Sequence, residues 1–172
     1  MKTLLIMRHA KSSWENPDWS DYERPLNKRG LKTAPFMGNI IYQNNIQPDL
    51  IIASAAKRAK QTAILVKESA QVEKPIHFEE KIYEASATTL LYLATEFSDK
   101  YQTILIIGHN PGIEEFIRLL TGDYCSMPTS SLAKVLLNID SWKEIGLNKG
   151  FLETVLRPKD LMDKDEADAL AV

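Results

Sequence analysis

Short apolar runs that alternate with helix-period segments constrain this chain more than any other feature. Lys2-Thr3-Leu4-Leu5-Ile6-Met7 is too short for a buried helix and reads as an interior strand. Asp49-Leu50-Ile51-Ile52-Ala53 reads as a second buried strand, and Thr103 to Ile107 is the strongest strand signal in the chain. Helical patterns lie between them. Asn27 is placed to cap a helix carrying Leu31, Ala34, Met37, Ile40 and Ile41, although Pro35 interrupts it where proline breaks or kinks a helix. Ser54 is placed to cap another, with Ala59, Ala63 and Val66 on one face. Pro75 to Phe78 predicts a short strand, followed by a loop with Tyr83 and Glu84, and Leu90, Leu91, Leu93, Ala94 and Phe97 predict a third helix. Pro111 takes a first helical position with Asn110 as cap; Ile113, Phe116, Ile117 and Leu120 continue that helix and Gly122 stops it. Leu132 to Ile139 and Gly150 to Leu156 read as late strands forming an antiparallel pair. Such alternation argues for βαβ units and a largely parallel sheet.

Composition sets the limits. At 172 residues, with 44% hydrophobic and 26% charged, the chain is long enough for one sizeable core. The expected division is a single domain over 1–161 and an acidic tail over 162–172, where Asp163, Asp165, Glu166 and Asp168 outnumber Lys164. A net charge of −2 gives no whole-molecule attraction to nucleic acid or anionic membrane, so any anion site must be local. Cys125 is the only cysteine, which excludes a disulfide framework and a multi-thiolate zinc site. The N-terminal apolar run breaks at Arg8, unlike a secretory signal, and no stretch nears the roughly 20 apolar residues that span a bilayer. A soluble cytoplasmic domain is expected.

Three strand exits carry the chemistry. The first ends in Arg8-His9; the second in Ser54 and, one helical turn on, Arg58; the third in Gly108-His109-Asn110-Pro111-Gly112. In an open α/β sheet, ligands sit at the carboxyl ends of the strands. If these strands are parallel neighbours, two arginines and two histidines face one pocket, beside the N–H groups of two helix starts. Arginine forks match phosphate oxygens, so the ligand implied is a phosphoryl group. A neutral imidazole with one ring nitrogen held by a hydrogen bond can attack phosphorus through the other, which fits His9. Arg8, Arg58 and His109 would then neutralise the equatorial oxygens; losing one such donor typically costs about 10²–10³ in rate.

The runs Arg8 to Trp14, Arg24-Pro25-Leu26-Asn27-Lys28-Arg29-Gly30, Ser54 to Thr62 and Gly108 to Gly112, in this order, resemble the histidine phosphatase superfamily, and in particular its small SixA-type phosphohistidine phosphatase branch. The likeness runs from residue 1 to about Asp160. It implies a phosphoglycerate mutase-like, three-layer α/β/α sandwich whose mostly parallel central sheet has an antiparallel edge strand. It also implies metal-independent catalysis with no cofactor, His9 as the nucleophile that becomes phosphorylated, and Arg8, Arg58, His109 and the Asn110 backbone N–H around the phosphate. Ala55, where the family often has proline, and Ser130, where it has small or glycine residues, depart from the pattern without touching that chemistry.

The resemblance leaves the substrate between a phosphohistidine protein and a small phosphate ester. Larger superfamily members protonate the leaving group with a carboxylate, and Glu84 falls near that place. SixA-like members manage without one, because imidazole leaves a phosphoramidate with less help than an alkoxide leaves an ester. Few residues remain between Ser54 and Thr103 for a capping insertion, so the mouth should admit a protein side chain. Ser12 is a further phosphate-binding candidate with an equal claim to capping its own loop. Weaker alternatives are a phospho-ligand binding module without catalysis and a metal-dependent phosphoesterase. Two arginines would repel the metal of the latter, and the chain has no HxH or HxxxH pair. His77 has no motif and reads as structural, and Trp14 and Trp19 read as packing anchors. Lys11, Lys28 and Arg29 read as a solvated face.

Overall fold

A run such as Leu4-Leu5-Ile6-Met7, apolar at every position, suits only a strand buried on both sides. In the computed structural model, which describes residues 1–162, that strand lies inside a sheet between two helical layers. The elements in chain order are β1 (Lys2–Arg8), α1 (Lys28–Gln43), β2 (Leu50–Ser54), α2 (Lys57–Ser69), β3 (Ile76–Glu79), α3 (Ala87–Thr95), β4 (Thr103–Gly108), α4 (Gly112–Thr121), β5 (Leu132–Leu137), β6 (Gly150–Leu156) and a final turn, α5 (Pro158–Leu161).

The sheet order is β3-β2-β4-β1-β5-β6. β1 pairs in parallel with β4, Met7 opposite Ile107 and Arg8 opposite Gly108, while β4–β2 and β2–β3 are also parallel. β5 is antiparallel to β1 and β6 is antiparallel to β5, so the sheet ends in an antiparallel pair as expected for the fold. Alternate side chains divide between two cores. Leu5, Met7, Ile51, Ala53, Leu105 and Ile107 face α1 and α2, whereas Leu4, Ile6, Ile52, Ile104 and Ile106 face α3 and α4. Each such aliphatic chain contributes roughly 1.5–3 kcal/mol when removed from water. Gly38 lets α1 and α2 approach closely, since a Cβ there would stand 2.7 Å from the Val66 carbonyl oxygen.

Four local expectations are corrected. Pro35 neither breaks α1 nor ends it: the helix runs through from Lys28 to Gln43. The carbonyl deprived of its donor belongs to Leu31, which is 50% exposed and lies off the buried face on which it was expected. The helix is carried by Ala34, Met37 and Ile41 packed against α2. Ser54 ends β2 instead of capping α2; the cap position is Ala56, without a side-chain bond, and Ser54 is drawn to His109. Pro111 takes the cap position before α4, and Asn110 does not cap it: its NH2 group donates to Glu114 and Met127 while its buried Oδ1 accepts from no group among the described residues.

Asn27 caps α1 by accepting from Gly30 N–H, and Gly122 ends α4 at φ 79°, both as the sequence predicts. The predicted acidic tail lies outside the described residues apart from Met162. Among the described residues, no helix is long and apolar enough to cross a membrane.

Candidate active site

Because β1 and β4 are parallel neighbours in register, their exits deliver Arg8-His9 and Gly108-His109 side by side. His9 N–H donates to the Gly108 carbonyl (3.0 Å) and Arg8 N–H to that of Ser131 (3.1 Å), which fixes the backbone between β4 and the entry to β5. Ser130 N–H donates to the Arg8 and His9 carbonyls (3.1 Å each). Ser130 itself holds φ at 66°, and its hydroxyl meets that of Thr33 on α1 at 2.8 Å.

The His9 ring is buried, 6% exposed, with Nδ1 2.7 Å from the Ala10 carbonyl oxygen. That acceptor places the proton on Nδ1 and leaves Nε2 unprotonated. Nε2 faces Arg58, whose Nε–H points at it from 3.4 Å. The His109 ring centroid stands 5.0 Å from that of His9, and its Nε2 meets the Ser54 hydroxyl at 2.8 Å.

Burial pushes His9 down to about 3, and the positive charges around it push the same way while the Ala10 carbonyl opposes. His109 is pushed down to about 4, by burial first and then by Arg58. Both rings are therefore neutral near pH 7, which is the nucleophilic form. Burial also lowers Arg8. Its Nη1 donates to the Met127 carbonyl at 3.2 Å, but its Nε–H is buried without a partner among the described residues, as is His109 Nδ1. Buried unpaired polar groups are uncommon, and oxygens of a phosphoryl group would satisfy such an N–H.

A second wall comes from the loop between β1 and α1. Asp21 accepts from Arg58, Arg24 and Tyr83, and its carboxylate is lowered to about 2, the Tyr83 hydrogen bond contributing most. Tyr83 stands edge-on to His109 at 5.4 Å, and burial followed by Asp21 pushes its hydroxyl up to about 12. Arg24, 7% exposed, donates to the Ser12 hydroxyl at 2.8 Å and lies 3.5 Å from the ring of Trp14. Ser12 thus braces its own loop. Sequence reasoning missed Asp21 and gave Tyr83 no role; the only available signal was an acid three residues before the arginine of Arg24-Pro25-Leu26.

Between the walls opens a cleft of about 490 Å³, lined by Asp21, Arg58, Tyr83, Glu84, His109, Asn110 and Glu115 among others. Glu84 is exposed at its rim, with φ at 57°. The Asn110 amide donates to Glu114 Oε1 (2.9 Å) and the Met127 carbonyl (3.0 Å), so this side chain ties α4 to the segment before β5. Gly112 is required here, because any Cβ would collide with the Ala85 carbonyl oxygen on the opposite rim. Lys11, Lys28 and Arg29 are exposed. His77 is exposed too, beside Glu79 at 3.5 Å, and lines no part of the cleft. Trp14 is 74% exposed, with the Arg24 guanidinium over its ring, whereas Trp19 lines a second groove with Tyr22, Lys57 and Lys60. Among the described residues, no group of three or more His, Cys, Asp or Glu side chains is placed to hold a metal ion.

The sequence profile of the histidine phosphatase superfamily (branch 1) matches residues 4–104, which include His9 and Arg58. An uncharacterized chloroplastic protein of Arabidopsis thaliana is 33% identical over 155 residues, covering 83% of this chain and 70% of that one. SixA from Agrobacterium tumefaciens superposes with a TM-score of 0.79 at 26% identity, covering 91% of this chain and 98% of that one. A structure of the protein histidine phosphatase SixA complexed with tungstate superposes at 0.81 with 21% identity, covering 93% and 99%, and so shares the fold.

Proposed function

The chain belongs to the histidine phosphatase superfamily, and on that premise we propose that it is a metal-independent phosphatase that removes the phosphoryl group from phosphohistidine in a protein, with His9 as nucleophile. The observation that carries this reading is the His9 tautomer. With Nδ1–H committed to Ala10 and the ring neutral, the Nε2 lone pair is directed toward Arg58, where a phosphoryl group would lie.

In the first step Nε2 attacks phosphorus. The bond from phosphorus to the substrate imidazole breaks, and its electron pair stays on that nitrogen, which takes a proton from water. In the second step water attacks phosphorus, the bond to Nε2 breaks and its electrons return to His9, while the water proton passes to solvent or phosphate. Arg8, Arg58 and His109 stabilise the charge on the equatorial oxygens.

The proton inventory favours a nitrogen leaving group. Asp21 remains ionised, Tyr83 commits its proton to Asp21, and both histidines are neutral. An alkoxide leaving from an ester needs an acid that these groups do not offer, whereas a protonatable imidazole needs none. The open cleft of about 490 Å³ suits a side chain presented by another protein.

A second reading, a phosphatase for small esters, draws support from Glu84 at the rim of the same cleft, where a carboxylate could serve as acid. A substrate panel run on wild type, His9→Ala and Glu84→Gln decides between them. We expect phosphohistidine protein to be turned over at least about 10²-fold faster than sugar phosphates, and His9→Ala to lose about 10³-fold or more. An acid-labile phosphoenzyme should be trapped on His9. Comparable turnover of sugar phosphates, lost in Glu84→Gln, would establish the second reading instead. Phosphate binding with no trapped phosphoenzyme would indicate a module that binds without catalysis.

A further inference from the structure

We propose that Asp21 is a positioning residue of this site, holding the guanidinium of Arg58 by its Nη end so that the Nε–H edge is turned toward Nε2 of His9. The carboxylate divides its oxygens between two arginines. Oδ2 accepts from Arg58 Nη2 at 3.0 Å and from the Tyr83 hydroxyl at 2.6 Å, and Oδ1 accepts from Arg24 Nη2 at 3.1 Å and Nε at 3.3 Å. The Asp21 main-chain carbonyl takes Arg58 Nη1 at 2.6 Å.

Both Nη groups of Arg58 are thereby anchored on one residue, and only Nε–H is directed at His9, at 3.4 Å. Arg58 begins with a disadvantage that makes such anchoring necessary. It is a long cation in the first turn of α2, where the helix dipole disfavours positive charge, and its side chain has many rotamers. Asp21 counters both, supplying a negative charge through Oδ2 and a second acceptor, its main-chain carbonyl, one for each Nη group. Arg24, buried and stacked on Trp14, supports the far oxygen, so Arg24 is linked to Arg58 through the Asp21 carboxylate. Nothing here requires Asp21 to touch the phosphoryl group.

The inference rests on the proposed phosphoryl transfer at His9, and its test is chosen to read separately from the substrate. Orthovanadate adopts the five-coordinate geometry of the transferring phosphoryl group, whereas inorganic phosphate resembles the ground state. Groups oriented for the transition state favour the former. Dissociation constants for both ions are measured by calorimetry on wild type, Asp21→Asn and Tyr83→Phe, alongside kcat and KM for whichever phosphorylated substrate wild type turns over.

For Asp21→Asn we expect vanadate to weaken by about 10–100-fold, the range seen when groups that orient metal ligands are removed, with phosphate changing less than about threefold. kcat should fall in step with vanadate affinity while KM holds. Tyr83→Phe, which removes one donor to the same oxygen, should show the same selective loss at about threefold. It also carries the test if Asp21→Asn does not fold. Equal losses for the two ions, or none for either, would overturn the proposal. Failure of phosphohistidine turnover with the vanadate selectivity intact would instead reject the substrate assignment and leave Asp21 in this role.

Discussion

The two walls of the cleft are built by different forces. The strand-exit wall, where His109 lines the cleft and the buried His9 ring stands 5.0 Å from it, is positioned by the ladder between β1 and β4, whose Ile, Leu and Met side chains are fully buried. The loop wall, with Asp21, Arg24 and Tyr83, is held by side-chain bonds between segments far apart in sequence: Asp21 meets Arg58 across 37 positions and Tyr83 across 62. One wall is fixed as soon as the sheet closes. The other is fixed only when particular charged groups find one another. The position of the proposed nucleophile, His9, therefore depends on register, and the orientation of Arg58 depends on the loop.

Arg58 belongs to both walls, so replacing it gives the largest effect. Arg58→Ala should lower turnover by about 10²–10³-fold and also release the loop, raising amide exchange over residues 12–25 while β1 and β4 stay protected. If exchange in the loop is unchanged, the distinction between the walls is wrong.

Acid titration separates them further. His9 and His109 have folded-state values near 3 and 4, below the ordinary 6.5, so the unfolded chain binds more protons between those limits. Stability from the strand-exit wall is thus fully present above about pH 6.5 and declines as pH falls toward 4. Asp21, lowered from 3.8 to about 2, acts in the same direction with pH but in a lower window, its contribution being lost only below about pH 4. Urea midpoints measured at pH 7.5, 6 and 4.5 should fall across this window, and His9→Asn should flatten the slope. An unchanged slope in that variant would show that the buried ring is not what the acid acts on.

The smallest expected change is at the rim. Glu84→Gln should alter phosphohistidine turnover by less than about threefold, since an imidazole leaving group does not require a proton from this exposed side chain outside both anchored walls. A loss matching that of His9→Ala would move Glu84 into the catalytic machinery.

Legibility in the sequence follows the same division. The exit of β1 was readable because an uninterrupted apolar run ending in two polar residues admits one placement. The caps at Asn27 and Gly122 were readable because each is a local contact. Ser54 was misread as a cap because its hydroxyl meets His109, 55 positions away, and accepts from the Ala56 N–H just before α2, not from an N–H of the helix. Pro35 was misread because the local cost of a missing N–H gives no hint of the α1–α2 packing that outweighs it. Asp21 sits in a polar loop without periodicity, so its only mark is the spacing of three residues before Arg24.

Sequence alone determined the alternation of strands and helices, the superfamily resemblance and the set of arginines and histidines at the strand ends, because each depends on residue spacing or on neighbours within a few positions. Only the tertiary structure decided which nitrogen of His9 is free, that Ser54 holds His109, and that one aspartate binds two arginines and a tyrosine. Those facts depend on distances between side chains brought together from remote segments, and such distances exist only after the two cores have packed.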